Sequence, residues 1–506
     1  MPKTYPRYSE EQSFGVIASA SSNVATLPGS SSLAVCGALE DVIVWNVKTG
    51  QQVKRLKVDG EQAVVTFIVT QQASKEVIAV GYADGSVRVW NIVSGQVQMK
   101  LHGHKKKITT LAFNQGGSML VSGSDDTDII VWDIVSQSGR FKLRGHKDSV
   151  TACAFLDDDH KLVSASKDTL LKIWDLDTQH AVTTCVGHRS EVWSLAVNRE
   201  ETRVVTGSSD QHMRMWALDA KAATLTYMGG LKRQSTARTM HICFNNSQTL
   251  IGCQSSGKEL ELFRVRTAAE AARRMRRRQR RAREKRRKRK AEAMEHPSSA
   301  SSSDDGANSA SDDDDSDGGD DVDGKDVTNK TLQNPSSSQV QASDELELAT
   351  VIRSKKAMRS FAFASAAPNA GAAAAKAGQL SSSTAKPGES STIIVSLINN
   401  SVHQYALQEE IEDDSNQSRW NYRRVNALSL PGHQSGVRAL DISSDDSLIA
   451  SASSTSVKVW NVNRGDCVRT MDSGFGKQSW CDFDAPHSHM PTPCIRHHRI
   501  WHRSHR

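Results

Sequence analysis

The chain has 506 residues, with 64 Lys or Arg against 57 Asp or Glu and a formal net charge of +7. This exceeds the ~250–300 residues at which a single hydrophobic core stops growing, so we expect one very large domain or a domain with extensions. No stretch approaches the ~18 apolar residues of a membrane span, and the opening "MPKTYPRYSEEQ" lacks an apolar export signal. We therefore expect an intracellular, soluble protein without membrane contacts.

A repeated unit fills the first half of the chain. Five tryptophans close alternating apolar runs at spacings of 45, 42, 42 and 42 residues; they are Trp45, Trp90, Trp132, Trp174 and Trp216. Gly-His pairs precede the last three by a constant interval, and each period reads as four short strands. Together with two Trp-Asp pairs, this pattern is typical of WD-repeat β-propeller blades.

Three repeats place a histidine, a hydroxyl residue, an aspartate and the tryptophan at fixed spacing. WD repeats, which these segments resemble, link such residues in a hydrogen-bonded chain. The predicted tetrads are His104, Ser122, Asp126 and Trp132; His146, Ser164, Asp168 and Trp174; and His188, Thr206, Asp210 and Trp216. A Ser-His-Asp catalytic triad is the alternative, but a triad occurs once and needs an exposed nucleophile, whereas this set recurs with the period of the fold. We expect a structural role and no catalytic residue.

Less regular repeats flank the clear ones and set the ring size. Blade one runs from about Phe14 to Val58, while Phe263 and Tyr405 stand at the tryptophan position of blades six and seven. Without an insert at 268–343 and an Ala/Gly/Ser-rich stretch at 366–390, residues 14–430 leave about 45 residues for each of seven blades. The predicted fold is an all-β, seven-bladed propeller; a single ring of eight blades stays open as the alternative.

The insert at 268–343 separates the third and fourth strands of blade six, so we expect it to lengthen one hairpin turn at the rim. Thr267 and Glu270 have capping-box spacing, and the chain then continues without Gly or Pro to His296, which predicts a helix of about 40 Å. No apolar stripe marks a face for burial. We expect that packing does not hold this helix and that a polyanion orders it.

Fourteen of the eighteen residues between 273 and 290 are cationic. Arginine pairs bidentately with phosphate, so the segment predicts RNA binding, without base-specific readout because stacking aromatics are missing. The candidate residues are Arg273, Arg274, Arg276, Arg277, Arg278, Arg280, Arg281, Arg283, Lys285, Arg286, Arg287, Lys288, Arg289 and Lys290. A nuclear import signal at the last six residues and a solvated charged linker remain alternatives.

The second half of the insert is a Ser/Asp/Gly tract that predicts disorder. Four serines precede an aspartate by three positions and are candidate phosphorylation sites: Ser301, Ser302, Ser309 and Ser311. We expect the tract to screen the basic helix, and more strongly once phosphorylated. A calcium site is not expected, because the ordered loop spacing and its closing glutamate are missing.

The chain resembles the WD-repeat-protein-three or U-three-associated-protein-twelve family over roughly residues 1–476. The resemblance rests on "SFGVIAS", on "IAVGYADGSVRVW" at 78–90, on the charged insert and on "SLIASASSTSVKVWNVNRGDCVRTMDSGFG" at 447–476. It implies a subunit of the UTP-B subcomplex of the small-subunit processome, in the nucleolus. The implied partners are other WD-repeat subunits of UTP-B, precursor rRNA and the small nucleolar RNP, with no small-molecule substrate.

The C-terminal end departs from that family, whose members continue into a second propeller and a helical domain. Residues 1–430 are expected to form the first propeller, 431–476 the first blade of a second, and 477–506 an unstructured or aberrant tail. The histidines and Cys494 of this tail fit no zinc module, so no metal is expected.

Enzyme motifs are missing: no phosphate-binding loop, nucleophile elbow or zinc-protease helix occurs. Eight cysteines without a C-x-x-C pair predict reduced thiols. The sequence therefore predicts a non-catalytic scaffold without a cofactor. The alternative is a substrate-recognition propeller of a ubiquitin ligase or chromatin-modifying complex, which would bind a short peptide in its central channel and ignore RNA.

Overall fold

The computed structural model describes residues 15–58, 63–156, 159–295, 340–364, 391–411, 418–429 and 432–472. Within these ranges the chain forms eight four-stranded antiparallel sheets and two helices. It divides into two compact units, Val16–Gly432 and a unit that includes His433–Asp472. The prediction of an all-β fold built from repeated four-stranded sheets is confirmed.

Seven of the sheets belong to the first unit, and each is built from four consecutive strands. Blade one contains β1 (Val24–Thr26), β2 (Leu33–Ala38), β3 (Asp41–Asn46) and β4 (Gln51–Leu56). Blade two contains β5 (Val65–Thr70), β6 (Val77–Tyr82), β7 (Val87–Asn91) and β8 (Val97–Leu101). Blade three contains β9 (Ile108–Phe113), β10 (Met119–Ser124), β11 (Ile129–Asp133) and β12 (Ser138–Leu143). Blade four contains β13 (Val150–Leu156), β14 (Lys161–Ser166), β15 (Leu170–Asp175) and β16 (His180–Val186).

Blades five to seven include both helices. Blade five contains β17 (Val192–Val197), β18 (Arg203–Ser208), β19 (His212–Asp219) and β20 (Thr224–Lys232). Blade six contains β21 (Thr239–Phe244), β22 (Leu250–Ser255) and β23 (Glu259–Val265), then the helices α1 (Ala268–Glu295) and α2 (Ala342–Glu345), and finally β24 (Leu346–Arg353). Blade seven contains β25 (Met358–Ala364), β26 (Ser391–Leu397), β27 (Ser401–Ile411) and β28 (Ser418–Leu428).

The first strands of the seven sheets close into a ring. Each of β1, β5, β9, β13, β17, β21 and β25 contacts the next in this order, and β25 contacts β1. At that join the Val24 amide donates to Ser360 Oγ at 2.8 Å, and the Thr26 hydroxyl donates to the Phe363 carbonyl at 2.9 Å. Since blade seven meets blade one, seven blades complete this ring, and the eight-bladed alternative is wrong.

The aromatic residue of the third strand has the same setting throughout the ring. The pairing of the third with the fourth strand shifts register immediately before Trp132, Phe263 and Tyr405 alike. Such a bulge turns the strand locally and re-aims the side chain. Phe263 and Tyr405 are 1% and 4% exposed. They therefore occupy the tryptophan position of blades six and seven.

The sheet of the second unit contains β29 (Val437–Ile442), β30 (Leu448–Ser453), β31 (Ser456–Asn461) and β32 (Cys467–Asp472). Its first strand is much more exposed than those of the ring: Val437 and Leu440 are 48% and 61% exposed, against 1% and 3% for Ile108 and Leu111 at the matching places of β9. A propeller blade needs neighbours to bury both faces. This sheet leaves part of its apolar surface uncovered.

Expectations from the sequence also concern membrane spans, metal sites and cysteines. No helix there is long and apolar enough to cross a membrane, and no group of His, Cys, Asp or Glu in the same ranges could hold a metal ion. The described cysteines are free, with Cys36, Cys153 and Cys253 buried. The acidic tract with Ser301, Ser302, Ser309 and Ser311, and the tail at 477–506, lie outside the described residues.

Candidate nucleic-acid interface

The basic helix α1 leaves blade six in the turn between β23 and β24, where the sequence places it. Two reciprocal hydrogen bonds form a capping box at its first turn: the backbone amide of Thr267 donates to Glu270 Oε2 at 3.1 Å, and the backbone amide of Glu270 donates to Thr267 Oγ1 at 3.4 Å. This exchange satisfies donors that the start of a helix leaves unpaired. The helix then runs for 28 residues, or about 42 Å.

The base of α1 is docked, which corrects the expectation that packing does not hold the helix. Ala271 is 4% exposed, and Met275, Arg278 and Gln279 are partly buried. These four residues recur at helical spacing and lie on one side of α1, which contacts α2. A stripe of this kind is hard to find in a hydrophobicity pattern, because two of its members are polar.

Arg278 forms an ion pair inside the protein. Its Nη2 donates to Asp344 Oδ2 at 2.8 Å, and the Asp344 side chain is 2% exposed. The same carboxylate oxygen accepts a hydrogen bond from the backbone amide of Gln341 at 3.0 Å. A buried carboxylate needs such partners to offset its lost hydration. Arg278 is therefore corrected from a phosphate-binding candidate to a residue that fastens the helix.

Two more arginines fix the same corner. Arg266 Nη1 donates to three backbone carbonyls between Ser343 and Leu346 at 2.9–3.2 Å. Arg203 of β18 holds Glu345 in a two-pronged pair, with Nη2–Oε1 at 2.7 Å and Nε–Oε2 at 2.9 Å. Hydrogen bonding to Glu345 raises the pKa of Arg203 further above its usual range. Both ends of the insert are thus tied to blades five and six.

We call this group of five side chains the insert clamp: Arg203, Arg266, Arg278, Asp344 and Glu345.

Beyond the insert clamp, the cations of α1 are open to solvent. Of the twelve Lys and Arg between 273 and 288, all except Arg278 are exposed. Every position from 280 to 288 is exposed, so the charge surrounds the helix instead of lining one face. Arg289 and Lys290 continue the helical backbone, but their side chains lie outside the described set.

The first predicted tetrad forms a continuous hydrogen-bonded chain. His104 Nε2 lies 2.8 Å from Ser122 Oγ, and Trp132 Nε1 donates to the same hydroxyl at 2.8 Å. His104 Nδ1 lies 3.1 Å from both Asp126 carboxylate oxygens. Burial lowers the pKa of His104 and outweighs the charge of Asp126, which raises it.

The second tetrad repeats this geometry. His146 Nε2 lies 2.7 Å from Ser164 Oγ, Trp174 Nε1 donates to Ser164 at 2.8 Å, and His146 Nδ1 lies 2.8 Å from Asp168. Burial by itself would raise the pKa of Asp168, but hydrogen bonds from His146 and the Lys147 amide lower it to about 2. The imidazole of His146 is hydrogen-bonded through both of its nitrogens. This series of hydrogen bonds joins the turn to the third strand.

The third tetrad is incomplete, which corrects the predicted link between Asp210 and His188. His188 Nε2 lies 2.8 Å from Thr206 Oγ1, but Asp210 instead accepts Arg214 Nη2 at 3.0 Å. His188 Nδ1 is buried without a hydrogen-bond partner in the described part of the chain. Burial, and then the charge of Arg214, lowers the pKa of His188 to about 3.

The tetrads fit a structural role rather than nucleophilic chemistry. Ser122 and Ser164 are 0% exposed, so no substrate reaches either hydroxyl. Steric crowding explains why glycine precedes the histidine at Gly187-His188: a Cβ on Gly187 would lie 2.2 Å from Cη2 of Trp216. A fourth chain of this type, absent from the predicted set, joins His433 and Trp460 through the Ser451 hydroxyl, with both bonds at 2.7 Å. The Gly-His pair and the following tryptophan were the signal that could have found it.

Comparison with known proteins agrees with the resemblance seen in the sequence. Residues 32–218 match the family model for the WDR3 first beta-propeller domain, and residues 425–461 match the WD domain, G-beta repeat. The first of these matches lies within blades one to five.

Relatives of that type match over limited lengths. The U3 small nucleolar RNA-associated protein 12 of Saccharomyces cerevisiae is 36% identical over 143 residues, 24% of this chain and 15% of that protein. The WD repeat-containing protein 3 homolog of Dictyostelium discoideum is 29% identical over 108 residues, 21% of this chain and 11% of that protein. A 57-residue segment is also 42% identical to TOPLESS-RELATED PROTEIN 2 of Oryza sativa, 11% of this chain and 5% of that protein. Each match therefore spans a small part of the relative.

Proposed function

From the WDR3-type propeller that residues 32–218 carry, we propose that this chain is a non-catalytic scaffold of ribosome biogenesis. It acts as a UTP-B-type subunit of the small-subunit processome in the nucleolus. Its partners are other WD-repeat subunits of that subcomplex, precursor rRNA and the small nucleolar RNP. The yeast relative, named as a U3 small nucleolar RNA-associated protein, supports a place beside the small nucleolar RNP, and the name of the Dictyostelium relative agrees with the matching family model.

The carrying observation is the cationic helix held at one end. Eleven exposed cations from Arg273 to Lys288 surround a rod whose base is fixed by the insert clamp. Neutralising phosphates with Lys and Arg releases condensed counterions, so such a rod binds nucleic acid strongly at low salt. Arginine-rich segments bind structured RNA through its backbone and shape. The fixed base holds the charge at one place on the rim of the ring.

The ring itself supplies surface for protein partners. Residues 431–476 act as the first blade of a second propeller, which explains why β29 keeps Leu440 61% exposed. Further sheets of the same kind would cover that strand. The blade rims and this uncovered sheet are the proposed contacts to other subunits.

RNA binding is tested with an arm variant, in which the eleven exposed cations are changed to glutamine: Arg273, Arg274, Arg276, Arg277, Arg280, Arg281, Arg283, Lys285, Arg286, Arg287 and Lys288. Affinity for a 20-base-pair RNA duplex is measured between 50 and 200 mM salt. Each lost phosphate contact removes about 0.9 from the slope of log K against log salt, so losing six contacts removes about 5. The control changes exposed ring lysines to glutamine: Lys57, Lys75, Lys221 and Lys232.

An unchanged slope in the arm variant contradicts phosphate binding by α1. The cellular test is purification of the tagged chain after ultraviolet crosslinking. Sedimentation with large precursor particles and recovery of precursor rRNA are expected. Free chain without RNA, bound instead to a ubiquitin ligase or chromatin complex, would support the alternative function.

A further inference from the structure

The ring has a cavity of about 500 Å³ in its central channel. Its polar lining comes from residues that precede or begin first strands, such as Lys107 and Arg359, and from turns after second strands, such as Asp125 and Lys167. Because antiparallel strands alternate in direction, these positions share one face of the ring. The turn after a third strand, which carries α1, lies on the opposite face. The cavity is therefore a separate surface from the basic helix.

Positive charge exceeds negative charge in this cavity. Lys107, Lys167 and Arg359 line it, against the single carboxylate of Asp125 among the lining residues. That carboxylate is already occupied: Lys107 Nζ lies 3.1 Å from Asp125 Oδ2, and the Ser149 hydroxyl donates to the other oxygen. The charge of Lys167 also acts on Asp125, so this one carboxylate faces two lysines, and no lining residue supplies a carboxylate for Arg359.

Trp193, which lines the cavity, contacts Lys167 and one further cation, Arg238. Arg238 Cζ lies 4.4 Å from the ring centre of Trp193, and Lys167 Nζ lies 4.7 Å from it. Burial, and then the charge of Arg238, lowers the pKa of Arg359. In the described ranges no carboxylate lies within ion-pair distance of Arg238 or Arg359. Three lining cations and Arg238 therefore face the one carboxylate of Asp125, and this excess of positive charge favours the binding of an anion.

We infer that this end of the channel binds a short acidic segment of a partner protein, whose carboxylates pair with Arg238, Arg359 and Lys167. A cavity of about 500 Å³ holds a few side chains and excludes a nucleic-acid duplex. Two cations within 4.7 Å of Trp193 leave little of its face for a stacked base. Phe67 and Met240 in the wall offer apolar contact to the aliphatic parts of a peptide.

The test uses fluorescein-labelled hexaglutamate as the probe and the full-length arm variant as the background, so that α1 does not bind the probe. Fluorescence anisotropy at 50 mM salt compares Arg238→Gln/Arg359→Gln with the control pair Lys57→Gln/Lys232→Gln. The first pair is expected to weaken binding about tenfold, as the loss of two ion pairs would. The control pair removes equal charge and is expected to stay within about twofold.

Thermal unfolding of both double variants shows whether the ring remains folded. Equal affinity in the two, or no binding of hexaglutamate to the background chain, overturns the inference. Labelled hexauridylate serves as the competing probe: if it binds more tightly and loses its affinity in the Arg238→Gln/Arg359→Gln variant, the ligand class is wrong. Because the arm is neutral in this background, failure here leaves RNA binding by α1 in place.

Discussion

The insert clamp predicts a local change in stability when its buried carboxylate is neutralised. Asp344→Asn keeps the side-chain shape but removes the charge that holds Arg278 at 2.8 Å. Hydrogen bonds to charged groups contribute about 1.5–3 kcal/mol, and Arg278 is 27% exposed, so we take about 2 kcal/mol. That energy corresponds to a roughly 30-fold shift in the equilibrium between docked and undocked helix.

Hydrogen exchange followed by mass spectrometry measures that shift. Amides between 268 and 280 are expected to exchange about 30-fold faster in Asp344→Asn, because local opening limits their protection. Amides of blades two to four are expected to keep their rates, since the clamp touches only blades five and six.

The control is Glu284→Gln on the same helix. Its pair with Arg280 spans 3.0 Å, but the two side chains are 83% and 57% exposed, so its loss costs at most about 1 kcal/mol. Exchange at 268–280 is expected to change less than about fivefold. Equal effects of the two substitutions, or unchanged exchange in Asp344→Asn, would show that burial of the carboxylate does not hold the helix.

Three further predictions concern the ring and are read from denaturant unfolding. Ser164→Ala removes the shared partner of a buried imidazole and a buried indole and is expected to cost about 3 kcal/mol, against less than about 0.5 for the exposed Ser136→Ala. Gly187→Ala places a Cβ 2.2 Å from an indole carbon and is expected to cost about 1–3 kcal/mol, whereas Gly116→Ala, with its nearest atom at 3.7 Å, is expected to be nearly neutral. Burial lowers the pKa of His188 to about 3 in the folded protein, so the unfolded chain binds a proton at this residue at higher pH than the folded chain does. The free energy of unfolding is therefore expected to fall as pH drops below about 6.5, by roughly 2 kcal/mol at pH 5 from this residue. A free energy of unfolding that does not change over this pH range would contradict the burial of His188 as a neutral imidazole.

The sequence predicted what repeats locally. The register shift that precedes the third-strand aromatic depends only on neighbouring residues, so Phe263 and Tyr405 could be placed by analogy with Trp132. The incomplete third tetrad also had a local signal. Arg214 stands two positions before Trp216 and reaches back to the aspartate, whereas Ile130 at the same place in blade three cannot compete.

The parts that could not be predicted depend on distant residues. Arg278 and Asp344 are 66 positions apart in sequence, and Arg203 and Glu345 are 142 apart, so no periodicity connects them. The channel cations come singly from different blades, and only ring closure brings them together. A single basic residue at each of these places looks like ordinary surface charge until the ring is formed.

The two cationic surfaces are independent because the ring separates them. A six-residue strand such as β9 spans about 20 Å, and the channel residues and the turn that carries α1 lie at opposite ends of such strands. The Debye length at physiological ionic strength is about 8 Å, so exposed charges on one face are largely screened from an anion on the other. Under the two proposals, each surface would select its partner by shape: the open helix would accept an extended phosphate backbone, and the cavity would accept a few side chains. Substitutions in the channel cavity should therefore leave the salt dependence of RNA affinity at α1 unchanged, and substitutions in α1 should leave the salt dependence of anion affinity in the cavity unchanged.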